Sequence, residues 1–159
     1  MKSGCLRALL IILTIAWMGI IFYYSSQDGS LSANMSGKIT NFIIQLFIRN
    51  YADLPLNEQS NIYKNVSYLI RKIAHFSEYG ILSLLLFFTI RSFTKNYLCV
   101  YAISFVLSCL YAMSDEFHQS FVADRLPLFK DVLIDSLGSL TMLLFIACII
   151  NIIRLKRKV

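Results

Sequence analysis

The stretch IAHFSEYGILSLLLFFTI, residues 73–90, decides the fold of this chain. After Glu78 it runs to Ile90 without a charged residue. A helix that crosses a bilayer needs about 20 mostly apolar residues, with a range of about 17–25. The stretch therefore predicts a membrane-spanning helix near the short limit, with His75 and Glu78 in its first two turns.

Three further apolar stretches, at residues 6–24, 98–113 and 132–153, extend this reading to the whole chain. Apolar residues make up 57% of the sequence and charged residues 15%, against about 45–50% and about 25% in soluble domains. Long unbroken apolar runs do not alternate as barrel strands must, so only helices fit. The sequence predicts an all-α integral membrane bundle of four transmembrane helices, forming a single domain over residues 1–159. The short third span is expected to extend by a turn.

The segment between the first two spans also has helical periodicity. One apolar stripe comprises Met35, Ile39, Phe42, Ile43 and Leu46, and another comprises Ile62, Val66, Leu69, Ile70 and Ile73. This spacing indicates two amphipathic helices that lie on the leaflet or over the bundle. Pro55 and the polar run at 57–60 are expected to separate them, and the second is expected to run straight into the second span.

The distribution of charge predicts the orientation in the membrane. The two ends and the loop between the second and third spans hold eight basic residues and no acid, namely Lys2, Arg7, Arg91, Lys95, Arg154, Lys156, Arg157 and Lys158. The other connections, with the adjoining helix ends, hold all nine acids. Basic short loops stay in the cytoplasm. Both termini are therefore predicted to be cytoplasmic, and residues 25–70 and 114–130 to face outward. The net charge of +6 reflects this asymmetry and not nucleic-acid binding.

Polar residues recur at the spacing i, i+4, i+7 on three helices at the outer level. The stripes are Arg71, His75 and Glu78; Tyr111, Asp115 and His118; and Asp131, Asp135 and Gly138. This spacing places each set on one helix face. Ser25, Ser26 and Gln27 close the first helix at the same level. Because unpaired charge in a bilayer costs at least about 2.5–3.5 kcal/mol, these groups are expected to converge inside the bundle.

Two roles compete for this cluster. A hydrogen-bonded network that only pins the helices is one. A reactive or binding site open to the outside is the other, favoured because histidine titrates near neutrality and serves as a base or ligand. A divalent metal held by His75, Glu78, Asp115 and His118 is a minor alternative, because the sequence has no HExxH motif and spacing alone is weak. Cofactors are otherwise unknown from the sequence.

The residues that carry these stripes also carry a family resemblance. The segments RKIAHFSEY at 71–79 and YAMSDEFHQSFV at 111–122, followed by Arg125, Asp131, Asp135 and Gly138, resemble the VanZ-like membrane proteins. The Ser25-Ser26-Gln27 end of the first helix fits as well. The family often has a second glycine four residues after Gly138. Here Met142 occupies that position, so a looser helix approach is expected.

The resemblance implies a protein of the bacterial cytoplasmic membrane whose founding relatives lower susceptibility to teicoplanin, a lipid-bearing glycopeptide. The hypothesis is an outward-facing polar site that binds or modifies a lipid-linked or lipoglycopeptide ligand, in contact with membrane lipids. His75, Glu78, Asp115 and His118 are the catalytic candidates. The ligand-binding candidates are Arg71, Arg125, Gln119, Asp131, Asp135, Ser26 and Gln27. Asp115 and His118 are expected at the outer mouth, where a ligand reaches them most easily. The alternative is a non-enzymatic structural or partner-binding protein, and a transporter is a weaker third. Enzyme or binder, and the oligomeric state, stay open.

Overall fold

The structure, a computed structural model, describes residues 2–123, 125 and 128–157, without the side chains of residues 2, 3 and 29–35. Of the predicted features, Met35 and the basic residues Lys2 and Lys158 therefore lie outside the described side chains. The helices are α1 (Lys2–Ser25), α2 (Gly29–Phe47), α3 (Leu56–Arg91), α4 (Tyr97–Gln119) and α5 (Phe129–Lys156), with a 3-10 turn at Tyr51–Asp53. Within the described residues the chain is all-helical, which confirms the predicted fold class.

Four helices, α1, α3, α4 and α5, are long and apolar enough to cross a membrane. The packing is also that of a membrane protein, because large apolar side chains face outward while serines and acids are buried. Leu98, Phe117 and Phe145 are more than half exposed, whereas Ser108 and Ser139 are fully buried. Extensive exposed apolar surface marks a membrane or an interface. The chain is a multi-pass membrane protein.

The predicted spans are shorter than the helices that contain them. Helix α4 continues six residues beyond the predicted end at 113, which carries Asp115 and His118 onto the helix. The second amphipathic stretch does run into the second span, because α3 is one helix of 36 residues. Pro55 immediately precedes the first residue of α3, so the polar run at 57–60 belongs to this helix. The prediction that this run separates the two amphipathic helices is therefore wrong. At about 1.5 Å per residue, α3 is about 54 Å long and exceeds the bilayer core.

Helix α2 packs on the long first half of α3 with small and polar residues. Thr40 and Ile44 are fully buried, and Ser36 and Ser67 are hydrogen-bonded across the two helices at 3.4 Å. The predicted apolar stripe points elsewhere, since Phe42 and Leu46 are both more than 60% exposed. Helix α2 therefore packs on the bundle with one side and exposes an apolar side, which suits contact with lipid. Both predicted placements, over the bundle and on the leaflet, fit this arrangement.

Helices α3 and α5 approach each other with backbone against backbone. A Cβ atom added at Gly138 would lie 2.0 Å from the carbonyl oxygen of Phe76, so only glycine fits there. The predicted loosening by Met142 is therefore wrong, because contact at Gly138 itself is already at the steric limit. Beside it the Ser139 hydroxyl meets the Ser108 hydroxyl at 2.6 Å and donates to the Tyr79 carbonyl at 3.1 Å. Small residues and interhelical hydrogen bonds are the usual means of packing helices in lipid.

Helix α1 is attached to this three-helix core by side-chain hydrogen bonds. The indole N–H of Trp17 donates to the Glu78 carbonyl at 2.9 Å. The Tyr111 hydroxyl donates to the Met18 carbonyl at 2.7 Å. These contacts fix the C-terminal half of α1 beside the first turns of the α3 span, where the polar residues lie.

Candidate functional site: a polar pocket between α1, α2 and α3

An open pocket of about 280 Å³ lies between the end of α1, helix α2 and the middle of α3. Its apolar wall comes from Ile21, Ile39 and Ile70, with one residue from each helix. Its polar residues are Tyr24, Ser25, Gln27, Ser36, Arg71, His75, Glu78 and Arg125. A pocket with apolar walls and a few convergent polar groups is the usual form of a ligand site.

The pocket lies toward the acidic end of the bundle. Along α3, His75 is about 24 Å from the helix end at Arg91, and along α4, Asp115 is about 27 Å from the helix start at Tyr97. A hydrocarbon core is about 30 Å thick. The polar groups therefore sit close to one boundary of the apolar layer, where a lipid headgroup and its first acyl carbons would lie.

Of the three predicted polar stripes, the one on α3 lines the pocket. Arg71, His75 and Glu78 all line it, as one face of α3. Within the described residues, the Arg71 guanidinium has no hydrogen bond or ion pair, and neither has the Glu78 carboxylate. The pocket therefore offers a free cation and a free carboxylate on either side of a histidine.

Arg125 reaches the pocket from the connection between α4 and α5. It donates to the Gln27 carbonyl at 3.1 Å, to the Tyr24 carbonyl at 3.3 Å and to Gln119 Oε1 at 3.2 Å. Burial lowers the pKa of this guanidinium below its usual value, but an arginine remains charged in proteins. Arg125 thus ties the end of α1 to the end of α4 and brings a fixed positive charge to the pocket.

Asp115 is buried beneath the pocket and not at its mouth. It is 4% exposed, and its Oδ2 accepts a hydrogen bond from Gln119 at 3.1 Å. The Ser25 hydroxyl faces the same carboxylate. The prediction that Asp115 is easily reached is therefore wrong, because the last residues of α1 cover this face of α4.

The two aspartates of the stripe on α5 face different residues of α3. Asp131 forms a salt bridge with Lys72 of α3. Asp135 is 2% exposed, and its Oδ1 lies 3.8 Å from Nδ1 of His75, so it stands against the pocket histidine without opening to the pocket itself. Asp131 is thus occupied by a cation, whereas Asp135 faces a pocket residue.

Three more predicted residues lie outside the pocket lining. Gln119 donates to Asp115 and accepts from Arg125. The His118 ring packs on Phe22 with the ring centres 4.5 Å apart. Ser26 donates its hydroxyl to the Tyr23 carbonyl at 2.8 Å and so completes the end of α1. His118 is half-buried. The prediction that it is among the residues a ligand reaches most easily is therefore wrong.

Buried polar atoms without a protein partner are concentrated around this pocket. Within the described residues they are Ser25 Oγ, His75 Nδ1, the Tyr79 hydroxyl, Asp115 Oδ1, His118 Nε2 and Asp135 Oδ1. Most proteins leave few such atoms, and each one calls for an explanation. All but His118 belong to the pocket wall or to the residues packed behind it. Ser25 faces Asp115, and His75 stands 3.8 Å from Asp135, so these four groups are near one another without a closed hydrogen bond. A purely structural network would be expected to close these pairs.

Sequence reasoning did not single out Tyr79 or Glu116, and it placed Ser25 at the level of the site without naming it as a candidate. Tyr79 is fully buried with an unpartnered hydroxyl, and Ser25 lines the pocket. Glu116 accepts a hydrogen bond from the Leu128 backbone N–H and closes the connection between α4 and α5. Tyr79 and Ser25 both stand within the motifs that carry the resemblance, so their place there was the available signal.

The predicted metal site is not supported by the arrangement of the described side chains. In the part of the chain that the structure describes, no three His, Cys, Asp or Glu side chains are placed to hold a metal ion. Of the four metal candidates, His75 and Glu78 line the pocket, whereas Asp115 and His118 do not.

The comparison with protein families identifies the chain. The searches of curated proteins and of solved structures returned no match. The VanZ/LLP1 family matches residues 10–152, which include α3 and α4, most of α1 and α5, and every residue that lines the pocket. The chain belongs to the VanZ/LLP1 family of membrane proteins.

Proposed function

We propose that this chain is a bacterial cell-envelope protein that binds a lipid-like anionic ligand from the outer leaflet. By binding or modifying this ligand, it lowers susceptibility to lipid-bearing glycopeptides such as teicoplanin. The observation that supports the proposal most is Arg71, a pocket cation that has no hydrogen bond or ion pair among the residues that the structure describes. An unpaired charge in the membrane region is costly and marks a substrate or ion site by default.

The walls of the pocket fit such a ligand. Ile39 on α2 and Ile70 on α3 give an apolar side, and Ile39 is 53% exposed, so an acyl chain can lie against it. Arg71 and Arg125 give the positive charge that an anionic headgroup requires, and guanidinium groups bind phosphate and carboxylate well. The ligand would enter from the side, between lipid and protein, and the headgroup would reach His75 and Glu78.

Chemistry on the ligand requires a proton acceptor in the pocket. His75 is suited to the role of general base, with Asp135 beside its Nδ1 to orient the ring, and Glu78 stands one turn further on. Asp115, Gln119 and Arg125 form the support that positions the end of α1. This arrangement supports binding directly and supports catalysis only through the His75–Asp135 pair.

The competing function is a structural or partner-binding role in which the polar cluster only holds the bundle together. The salt bridge between Lys72 and Asp131 and the contacts of Arg125 favour it, since they join α3 to α5 and α4 to α1. The side chains of Arg71 and Glu78 argue against it, because within the described residues neither forms a hydrogen bond or ion pair that would join helices.

The test is expression of the chain in a susceptible Gram-positive host. We expect the inhibitory concentration of teicoplanin to rise more than that of vancomycin, because only teicoplanin has an acyl chain that anchors in the leaflet. The vector alone is the control, and membrane abundance is measured beside it. Equal shifts for both antibiotics, or none with the protein present, would overturn the proposal.

A further inference from the structure

The opposite end of the bundle carries a second concentration of charge that the pocket does not use. There α3 ends at Arg91, α4 begins at Tyr97, and the last turn of α5 carries Arg154. The Arg91 guanidinium lies 4.7 Å from the centre of the Tyr97 ring, and the Arg154 guanidinium lies 4.5 Å from the same centre. One aromatic ring thus gathers two guanidinium groups from two different helices.

Among the residues that the structure describes, no carboxylate side chain balances this pair of charges. The chain has no Asp or Glu at residues 1–13, 86–105 or 145–157, which form this end of the four spans. At the pocket end, by contrast, Lys72 is paired with Asp131. Two like charges held beside one ring repel each other, and the attraction of the ring for each cation offsets this only in part. An anion bound between them would remove the repulsion.

The shape of the two side chains suits one kind of anion. A guanidinium group that stacks on a ring keeps its N–H edge free, and that edge matches the oxygens of a phosphate in a two-pronged hydrogen bond. Arg91 uses one N–H for the Thr94 carbonyl at 2.9 Å. Both guanidinium groups also lie within reach of the Tyr97 hydroxyl. Their remaining donors are left for a ligand.

The position of the ring decides the source of the phosphate. Tyr97 and Arg154 stand at the ends of membrane-spanning helices, at headgroup level, and apolar side chains flank them on the lipid side. Leu98 is 78% exposed and Leu155 is 66% exposed. A phospholipid can place its phosphate beside the two arginines and its acyl chains against these leucines at the same time. Free phosphate can use only the arginines.

We propose that Arg91, Arg154 and Tyr97 form a binding site for the phosphodiester headgroup of an anionic phospholipid. The site lies at the end of the bundle away from the pocket and is independent of the function proposed for the pocket. Basic pockets between membrane helices bind anionic headgroups in this way. Such a lipid would join the end of α3 to the end of α5.

The test uses the full chain, purified in a neutral detergent, with phosphatidylglycerol and phosphatidylcholine offered separately. Lipid bound to the intact protein is measured by native mass spectrometry. We expect the chain to bind phosphatidylglycerol more tightly than phosphatidylcholine. Arg154→Gln should weaken phosphatidylglycerol binding about fivefold. Arg157→Gln is the matched control, because it removes an exposed charge of the same tail that does not contact the ring, and it should keep most of the binding.

Tyr97→Leu separates a built site from a merely basic surface, because it leaves the net charge unchanged. We expect it to weaken phosphatidylglycerol binding about as much as Arg154→Gln does. Each variant is first compared with the parent chain by size-exclusion profile and helix content, and whichever of Tyr97→Leu and Arg154→Gln is folded decides the outcome. Full binding by Tyr97→Leu, or an equal loss with Arg157→Gln, would overturn the site. Displacement of the lipid by an equal concentration of inorganic phosphate would overturn the lipid as its ligand.

Discussion

Asp135 Oδ1 lies 3.8 Å from Nδ1 of His75, and of these two residues only His75 lines the pocket. The distance is longer than a hydrogen bond, but catalytic hydrogen bonds are often long before a ligand binds. A carboxylate at Nδ1 fixes the orientation of an imidazole and leaves Nε2 for the ligand. Helix α5 can therefore influence the pocket through Asp135, which orients the ring of His75.

Replacement of Glu78 should separate function from folding. The Glu78 carboxylate makes no hydrogen bond or ion pair within the described residues, so Glu78→Gln should leave membrane abundance and the unfolding temperature in detergent unchanged. The shift in teicoplanin susceptibility should be lost, because the charge at the pocket is removed while the shape is kept. Glu58→Gln, an exposed acid in the first turn of the same helix, is the control and should keep the shift. A Glu78→Gln variant with full function would remove Glu78 from the site.

Replacement of Gly138 should damage the fold. Gly138→Ala would place a methyl group 2.0 Å from the carbonyl oxygen of Phe76. Overpacking of this kind costs about 1–3 kcal/mol and more where the backbone must move. We expect a lower unfolding temperature in detergent and less folded protein in the membrane.

Gly19→Ala is the control for this substitution, because a Cβ atom there meets nothing within 4 Å. Alanine is also the better helix former. It should leave stability unchanged or slightly higher. If Gly138→Ala were as stable as Gly19→Ala, the close approach of α3 and α5 would be contradicted.

The sequence predicted the helices well because hydropathy and periodicity are local properties. The continuous α3 and the pocket face of Arg71, His75 and Glu78 both follow from spacing along a single helix. The burial of Asp115 does not, since it depends on α1 and Gln119 covering that face of α4. For the same reason the pairing of Lys72 with Asp131 was not predicted, because spacing gives the face of each helix but not the residue opposite.

The orientation of the chain is tested by cysteine labelling in intact cells. The four native cysteines are first replaced by serine. Asn57→Cys should then react with a membrane-impermeant thiol reagent, because the acidic connections are predicted to face outward. Lys95→Cys should react only after the cells are opened. Labelling of Lys95→Cys from outside would reverse the predicted topology and place the pocket on the cytoplasmic side.

The central claim is that the pocket cation Arg71 binds the ligand, and one comparison tests it most directly. The inhibitory concentration of teicoplanin is measured for cells that express the parent chain, Arg71→Gln or Lys64→Gln, at matched amounts of folded protein. Lys64 is a basic residue of α3 two turns earlier, exposed and outside the pocket. The account predicts that Lys64→Gln keeps the shift and that Arg71→Gln loses it. A full shift with Arg71→Gln, or an equal loss with both variants, would contradict it.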